Sequence, residues 1–148
     1  MPFLDDHKIT AEAPTATGTS TINSNAYDMT GYDGITFLVR LGTPASNNSI
    51  KANQSTTSGG AYNDLLNSNV PGATNNTKAL TIYKPTKQFV KCSVVRGTTT
   101  TIDALIAIQW KGKGVRPVTQ ANLDYEEYTS PAEAAAAASG TIIAPASL

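Results

Sequence analysis

Cysteine, histidine and charge are all scarce in this chain, and each scarcity removes a class of function. The single Cys92 excludes an internal disulfide. It lies in the run Gln88 to Val95, where a small apolar side chain packs, so it reads as a buried, inert thiol rather than a nucleophile. The only histidine, His7, stands beside Asp5 and Asp6 near a terminus, and a metal site needs several ligands on a rigid scaffold. A Ser-His-Asp or Cys-His arrangement has only His7 to use, and no Gly-x-Ser-x-Gly pattern is present. We therefore read His7 as part of a solvated terminus and dispensable. Charged residues make up 15% of the chain, 11 of each sign, so no general basic field exists to attract a polyanion, and nucleic acid is not an expected partner. No apolar run reaches membrane-spanning length and the start lacks a basic leader, so a membrane is not expected either, and the expected site of synthesis is the cytosol. Helix-period segments long enough to cover a sheet are missing, as is any fixed-length repeat, which disfavours α/β folds, solenoids and propellers.

What the chain does have is alternation. Asp28 to Gly42 runs from a turn rich in Gly and Asp into a strand in which Ile35, Phe37, Val39 and Leu41 share one face. Asp33-Gly34 supplies the break, since Gly accepts backbone angles that other residues resist. Pro44 to Asn48 then predicts a turn before a short alternation at Ile50, Ala52 and Gln54, giving a hairpin. Leu80 and Ile82 share a face, Lys84 to Lys87 make a turn, and Val90, Cys92 and Val94 resume the inward pattern as a second hairpin. Ile102, Ala104, Ile106, Ile108 and Trp110 form the longest apolar series, with Asp103, Leu105, Ala107 and Gln109 opposite, so Ile106 and Val39 are expected in the core and Trp110 at its end. Residues 8–13 and 17–22, polar and Thr-rich, suit edge strands or an N-terminal arm. From Ser55 to Thr77 the chain reads as a long polar excursion anchored by Leu65, Leu66 and Val70, with a helical turn at Tyr62 to Leu66. Short strands between turn signals point to an all-β sandwich of one domain: an N-terminal arm or edge strands (1–24), a sandwich (25–120) and a C-terminal arm (121–148).

No residue type stands out as catalytic. Asp28, Asp33, Asp64, Asp103, Asp124, Glu126 and Glu127 are available for a carboxylate hydrolase, yet Asp28 and Asp33 flank turns, where Asp bonds to backbone. Gly59-Gly60 is not followed by the Lys-Ser/Thr of a phosphate loop. Tyr27, Tyr32, Tyr62, Tyr83, Tyr125, Tyr128 and Trp110 offer aromatic faces for a sugar, and Lys84, Lys87, Lys91, Lys111, Lys113 and Arg116 make the later half locally basic, as a docking patch or as protection of strand edges. No cofactor is implied.

Four segments in order, Asp28-Met29-Thr30-Gly31-Tyr32-Asp33-Gly34 before an apolar strand, Tyr83 to Val90, Ile102 to Gln109, and Arg116 to Gln120 leading to Ser130-Pro131-Ala132-Glu133, resemble the capsid decoration or cement proteins of tailed bacteriophages. The resemblance covers roughly residues 25 to 133. It departs at the loop Ser55 to Thr77 and in the continuation past Glu133. It implies a jelly-roll-like antiparallel β-sandwich with an extended C-terminal arm. It also implies a virion protein without enzymatic turnover that binds the major capsid protein on the outer surface of the assembled shell, and itself as a dimer or trimer. The alternatives are a carbohydrate-binding sandwich and, third, a carboxylate hydrolase.

The tail supplies the candidate interface: Ser130, Pro131, Glu133, Ile142 and Ile143. Ser130 suits an N-cap, Pro131 the first helical position and Glu133 the acid of a capping box, so a short helix is expected there. Thr141 to Pro145 is apolar enough to anchor, and the whole segment from Ser130 to Leu148 is expected to be an arm ordered by a neighbouring subunit or the capsid.

Overall fold

The computed structural model of the chain describes residues 3–72, 74–112, 123–129 and 133. A single helical turn, α1 (Phe3–Asp6), leads into twelve strands among these residues. They are β1 (His7–Glu12), β2 (Thr15–Gly18), β3 (Ile22–Asn23), β4 (Tyr27–Asp28), β5 (Gly34–Leu41), β6 (Ala45–Ser55), β7 (Asn63–Asp64), β8 (Val70–Gly72), β9 (Thr77–Tyr83), β10 (Phe89–Arg96), β11 (Thr100–Trp110) and β12 (Asp124–Thr129). One sheet runs β1-β11-β5-β9-β12, with β2 continuing β1 along the edge of β11. The other runs β3-β10-β6-β7, with β4 continuing β3 along β10 and β8 continuing β7 along β6. Counting each interrupted edge as one strand leaves eight in two Greek keys, first-eighth-third-sixth facing second-seventh-fourth-fifth, and this is the strand order of a jelly roll. To it β12 adds a ninth, parallel to β9.

Between the sheets lies the core. Ile35, Phe37, Val39 and Leu41 on β5, Leu80 and Ile82 on β9, Ile50 and Ala52 on β6, and Val90, Cys92 and Val94 on β10 are all fully buried, as their alternation requires. Burial also pushes the Cys92 thiol far above its usual range, so it stays protonated.

Four expectations are corrected by this topology. Neither β5–β6 nor β9–β10 is a hairpin, because each pair passes from one sheet to the other. The connections are corners of the sandwich, and the first lies earlier than the expected turn at Pro44 to Asn48, since Ala45 to Asn48 already belong to β6. Lys84, with φ of 54°, turns the second. The excursion Ser55 to Thr77 is fastened to the edge of β6 by β7 and β8, and Tyr62 to Leu66 is not a helical turn, since Asn63 and Asp64 pair with Gln54 and Asn53. Its expected anchors Leu65, Leu66 and Val70 are indeed buried, and the buried Ser68 hydroxyl bonds both the N–H (3.0 Å) and the carbonyl (3.2 Å) of Ala52. His7 does not lie in a loose terminus: it opens β1, opposite Trp110.

The fourth correction reverses one face of the longest strand. Ile102 pairs with Leu41, but Ala104 rather than Asp103 pairs with Arg40, so Asp103 is an extra residue in a β-bulge. Because side chains alternate with a period of two, one extra residue exchanges the faces of everything beyond it. Leu105, Ala107 and Gln109 therefore point into the core, while Ile106, Ile108 and Trp110 are half-buried on the outer face. Ile106 is not a core residue.

Two residues fix the ends of the sandwich. Arg96, only 4% exposed, donates to the carbonyls of Ser20 (2.8 Å), Ala16 (2.8 Å) and Thr100 (2.9 Å) and to the Ser20 hydroxyl, tying β10 to the opposite sheet's edge. Gly34 is required for a reason other than the expected turn: a Cβ there would stand 2.3 Å from the Trp110 ring. The left-handed position of that turn is Gly31, with φ of 83°.

Candidate docking surface and C-terminal attachment

Gln54 ends the inward series of β6 as a polar residue with no solvent exposure, so its amide must find partners inside. Its Oε1 accepts from the backbone N–H groups of Thr86 (3.2 Å) and Lys87 (3.3 Å), and its Nε2 donates to Thr86 Oγ1 (2.7 Å) and Glu133 Oε2 (2.8 Å). Glu133 also takes Lys87 Nζ on both oxygens, at 3.1 and 2.8 Å, and forms an antiparallel bridge with Leu65. Burial pushes the Glu133 carboxyl up, but hydrogen bonds from Lys87, Gln54 and Asn63 outweigh it and hold the group below the usual carboxylate range. Of the five candidate interface residues, Glu133 is thus bridged to its own sandwich, while the short helix expected from Ser130 lies outside the described residues. Ser130, Pro131, Ile142 and Ile143 lie outside the described residues.

The strand before it is fastened as well. Lys78, fully buried on the inner face of β9, forms an ion pair with Asp124 at 2.9 Å, and Asn75 donates to the other oxygen of Asp124. In sequence, the signals for both attachments were polar residues in inward positions, Gln54 and Lys78. Their C-terminal partners, Glu133 and Asp124, lie 79 and 46 residues away and had no local signal.

On the outer face of the first sheet, the register lines up side chains from all five strands. One row is Ala11, Ile106, Leu38, Ala79 and Tyr125, and the next holds Ile9, Ile108, Thr36, Thr81 and, on the edge strand, Glu127. Ile9 is 47% and Tyr125 36% exposed. A third row places Trp110 and Tyr83 on either side of Gly34, with their rings stacked at 5.5 Å and 8°. Sequence reasoning missed this surface because of the bulge. The available signal was the unbroken apolar run Ala104 to Ile108, too apolar for a strand with one wet face.

The outer face of the second sheet is polar by contrast. Lys51 pairs with Asp64 at 2.7 Å, Asn53 donates to Ser93, and Ser93 donates to Asn23. Five of the seven carboxylates considered for catalysis are engaged in similar bonds, Asp64 and Asp124 in the ion pairs already given. Asp28 accepts from Thr30 N–H, which holds it below its usual range, and from Gln88, while Asp33 accepts from Gly112 N–H and Asp103 from Thr101. Lys87 is taken by Glu133, and Lys84 and Lys91 lie over the rings of Tyr83 and Tyr62.

Fold and surface together define a jelly-roll β-sandwich with one apolar sheet face turned outward and a C-terminal segment bonded to its edge. No protein-family model matches the chain, and no curated protein matches its sequence.

Proposed function

We propose that this protein is a structural component of a tailed-bacteriophage virion, binding the outside of the assembled capsid and stabilising it as a homo-oligomer. The reading rests on the resemblance of the four ordered segments to decoration proteins, and the observation that carries it further is the outward apolar sheet face. A shell-reinforcing protein needs a rigid body with adhesive surfaces, and many symmetric copies turn individually weak contacts into a strong total. The jelly roll supplies rigidity, and an apolar face on a sheet that has already formed its core is surface left for a contact.

Co-sedimentation with undecorated capsids tests this. Saturable, stoichiometric binding that raises the temperature at which the shells open is expected, and particles that pellet without the protein at saturating concentration would refute it. Removing residues 130–148 should weaken binding.

A second reading, a carbohydrate-binding sandwich, is favoured by the half-buried Tyr83–Trp110 pair on the outward face. Glycan binding by the isolated protein that Trp110→Ala abolishes, together with no affinity for capsids, would put it first.

A further inference from the structure

We infer that the outward face of the β1-β11-β5-β9-β12 sheet is the surface on which one copy of this chain packs against a second copy. This deepens the oligomeric part of the reading above and is independent of the capsid. Its central row, Ala11, Ile106, Leu38, Ala79 and Tyr125, crosses every strand without a charged residue, and the row beside it is uncharged from Ile9 to Thr81, its one charged position being Glu127 on the edge strand β12. The guanidinium of Arg40 stands at the margin, one outward row beyond the central one, bonded to Thr77. In a two-fold contact each group near the axis meets its own equivalent, so a central charge would face a like charge. A face docking on a different protein has no such restriction, because its charges are matched by opposite ones. A charge-free centre is therefore what self-contact demands.

Covering the middle of this face does not strand its threonine and indole groups. The Thr36 and Thr81 hydroxyls bond each other at 2.9 Å, and Trp110 Nε1 donates to Thr36 at 3.2 Å, so these three are already paired within the sheet. The size also suits a pair of copies. Five strands at a spacing of ~4.8 Å span about 24 Å, and seven residues at ~3.3 Å span about 23 Å, giving roughly 550 Å² in projection per copy. Two copies thus bury about 1,100 Å² before surface relief is counted, above the ~1,000 Å² that a specific interface clears.

Sedimentation velocity on the purified full chain over a wide concentration range tests the inference without any capsid. The wild type is expected to associate, and Ile106→Glu to sediment as the 15.5 kDa monomer with an unchanged circular dichroism spectrum. Mixing Ile106→Glu with Ile106→Lys should restore the larger species, since the introduced charges are then opposite. If either charged variant fails to fold, Leu38→Ala provides the second measurement, with at least tenfold weaker association expected. A wild type that stays monomeric at millimolar concentration overturns the inference, as does an Ile106→Glu or Leu38→Ala chain that associates like the wild type. A monomer that still binds capsids refutes self-contact alone, whereas an associating chain with no affinity for capsids refutes the proposed function and leaves the interface standing.

Discussion

Truncating two adjacent residues of β11, Leu105→Ala and Ile106→Ala, should have sharply unequal effects, although the sequence gives no reason to rank them in this order. Leu105 is 3% exposed and belongs to the buried cluster opposite Val39, so its removal opens a cavity between two rigid sheets. Losses of this kind cost about 2–5 kcal/mol, the upper part reached where the site cannot collapse. Ile106 sits on the other side of the same strand, half-buried beside Leu38. It loses three methylene equivalents at ~0.8 kcal/mol each when fully buried, and with partial exposure and no enclosed cavity the loss falls to about 1 kcal/mol. For a chain of this length, each kcal/mol moves the melting temperature by roughly 2–4 °C. Leu105→Ala should therefore melt about 4–20 °C lower and Ile106→Ala about 2–4 °C lower. Calorimetry at a concentration where every variant is monomeric separates these outcomes, and urea titration adds a check, since the transition slope should not change. Equal losses, or a larger loss for Ile106→Ala, would show that the bulge at Asp103 is absent and that the strand keeps one parity throughout.

Three further outcomes follow from single sites. Arg96→Met removes charge-assisted hydrogen bonds worth about 1.5–3 kcal/mol apiece and strands the buried carbonyls they served, so thermal melting should drop by 10 °C or more at ~2–4 °C per kcal/mol; a drop of under 3 °C would contradict the structural role. Gly34→Ala forces a methyl into the Trp110 ring, which must leave Tyr83 and Thr36; a red-shifted tryptophan emission with about 1–3 kcal/mol of lost stability is expected, and unchanged emission would rule out the packing described. Glu133 has a depressed carboxyl pKa in the fold, so its contribution to stability is present above its unfolded value and is lost as pH falls through the lower folded value. The melting temperature of wild type should thus fall further than that of Glu133→Gln between pH 6 and pH 3, and identical pH profiles would show the Lys87–Glu133–Gln54 bonds to be inconsequential.

Sequence alone determined the class of fold and most of its core. The inward series on β5, β6, β9 and β10 are all legible because alternation is local: which of two faces a side chain takes depends only on its neighbours in the strand. The ordinary signals of Gly, Pro and Asn likewise marked where strands end. They did not say whether the next strand returns in the same sheet or crosses to the other, since a corner and a hairpin use the same turn residues, and only the packing of two sheets chose corners at Pro44 and Pro85. The attachment at Glu133 was illegible for a related reason, because Gln54, Lys87 and Glu133 meet only when strands far apart in the chain are brought to one edge. The most consequential decision was made at Asp103. From Ala104 to Ile108 both faces of the strand are apolar, so composition permitted either parity, and it is the pairing of Leu105 with Val39 that settled which went inside. Aligning β11 with β5 on both sides of Ile102 required one residue to be left over, and that residue turned Ile106 and Ile108 outward.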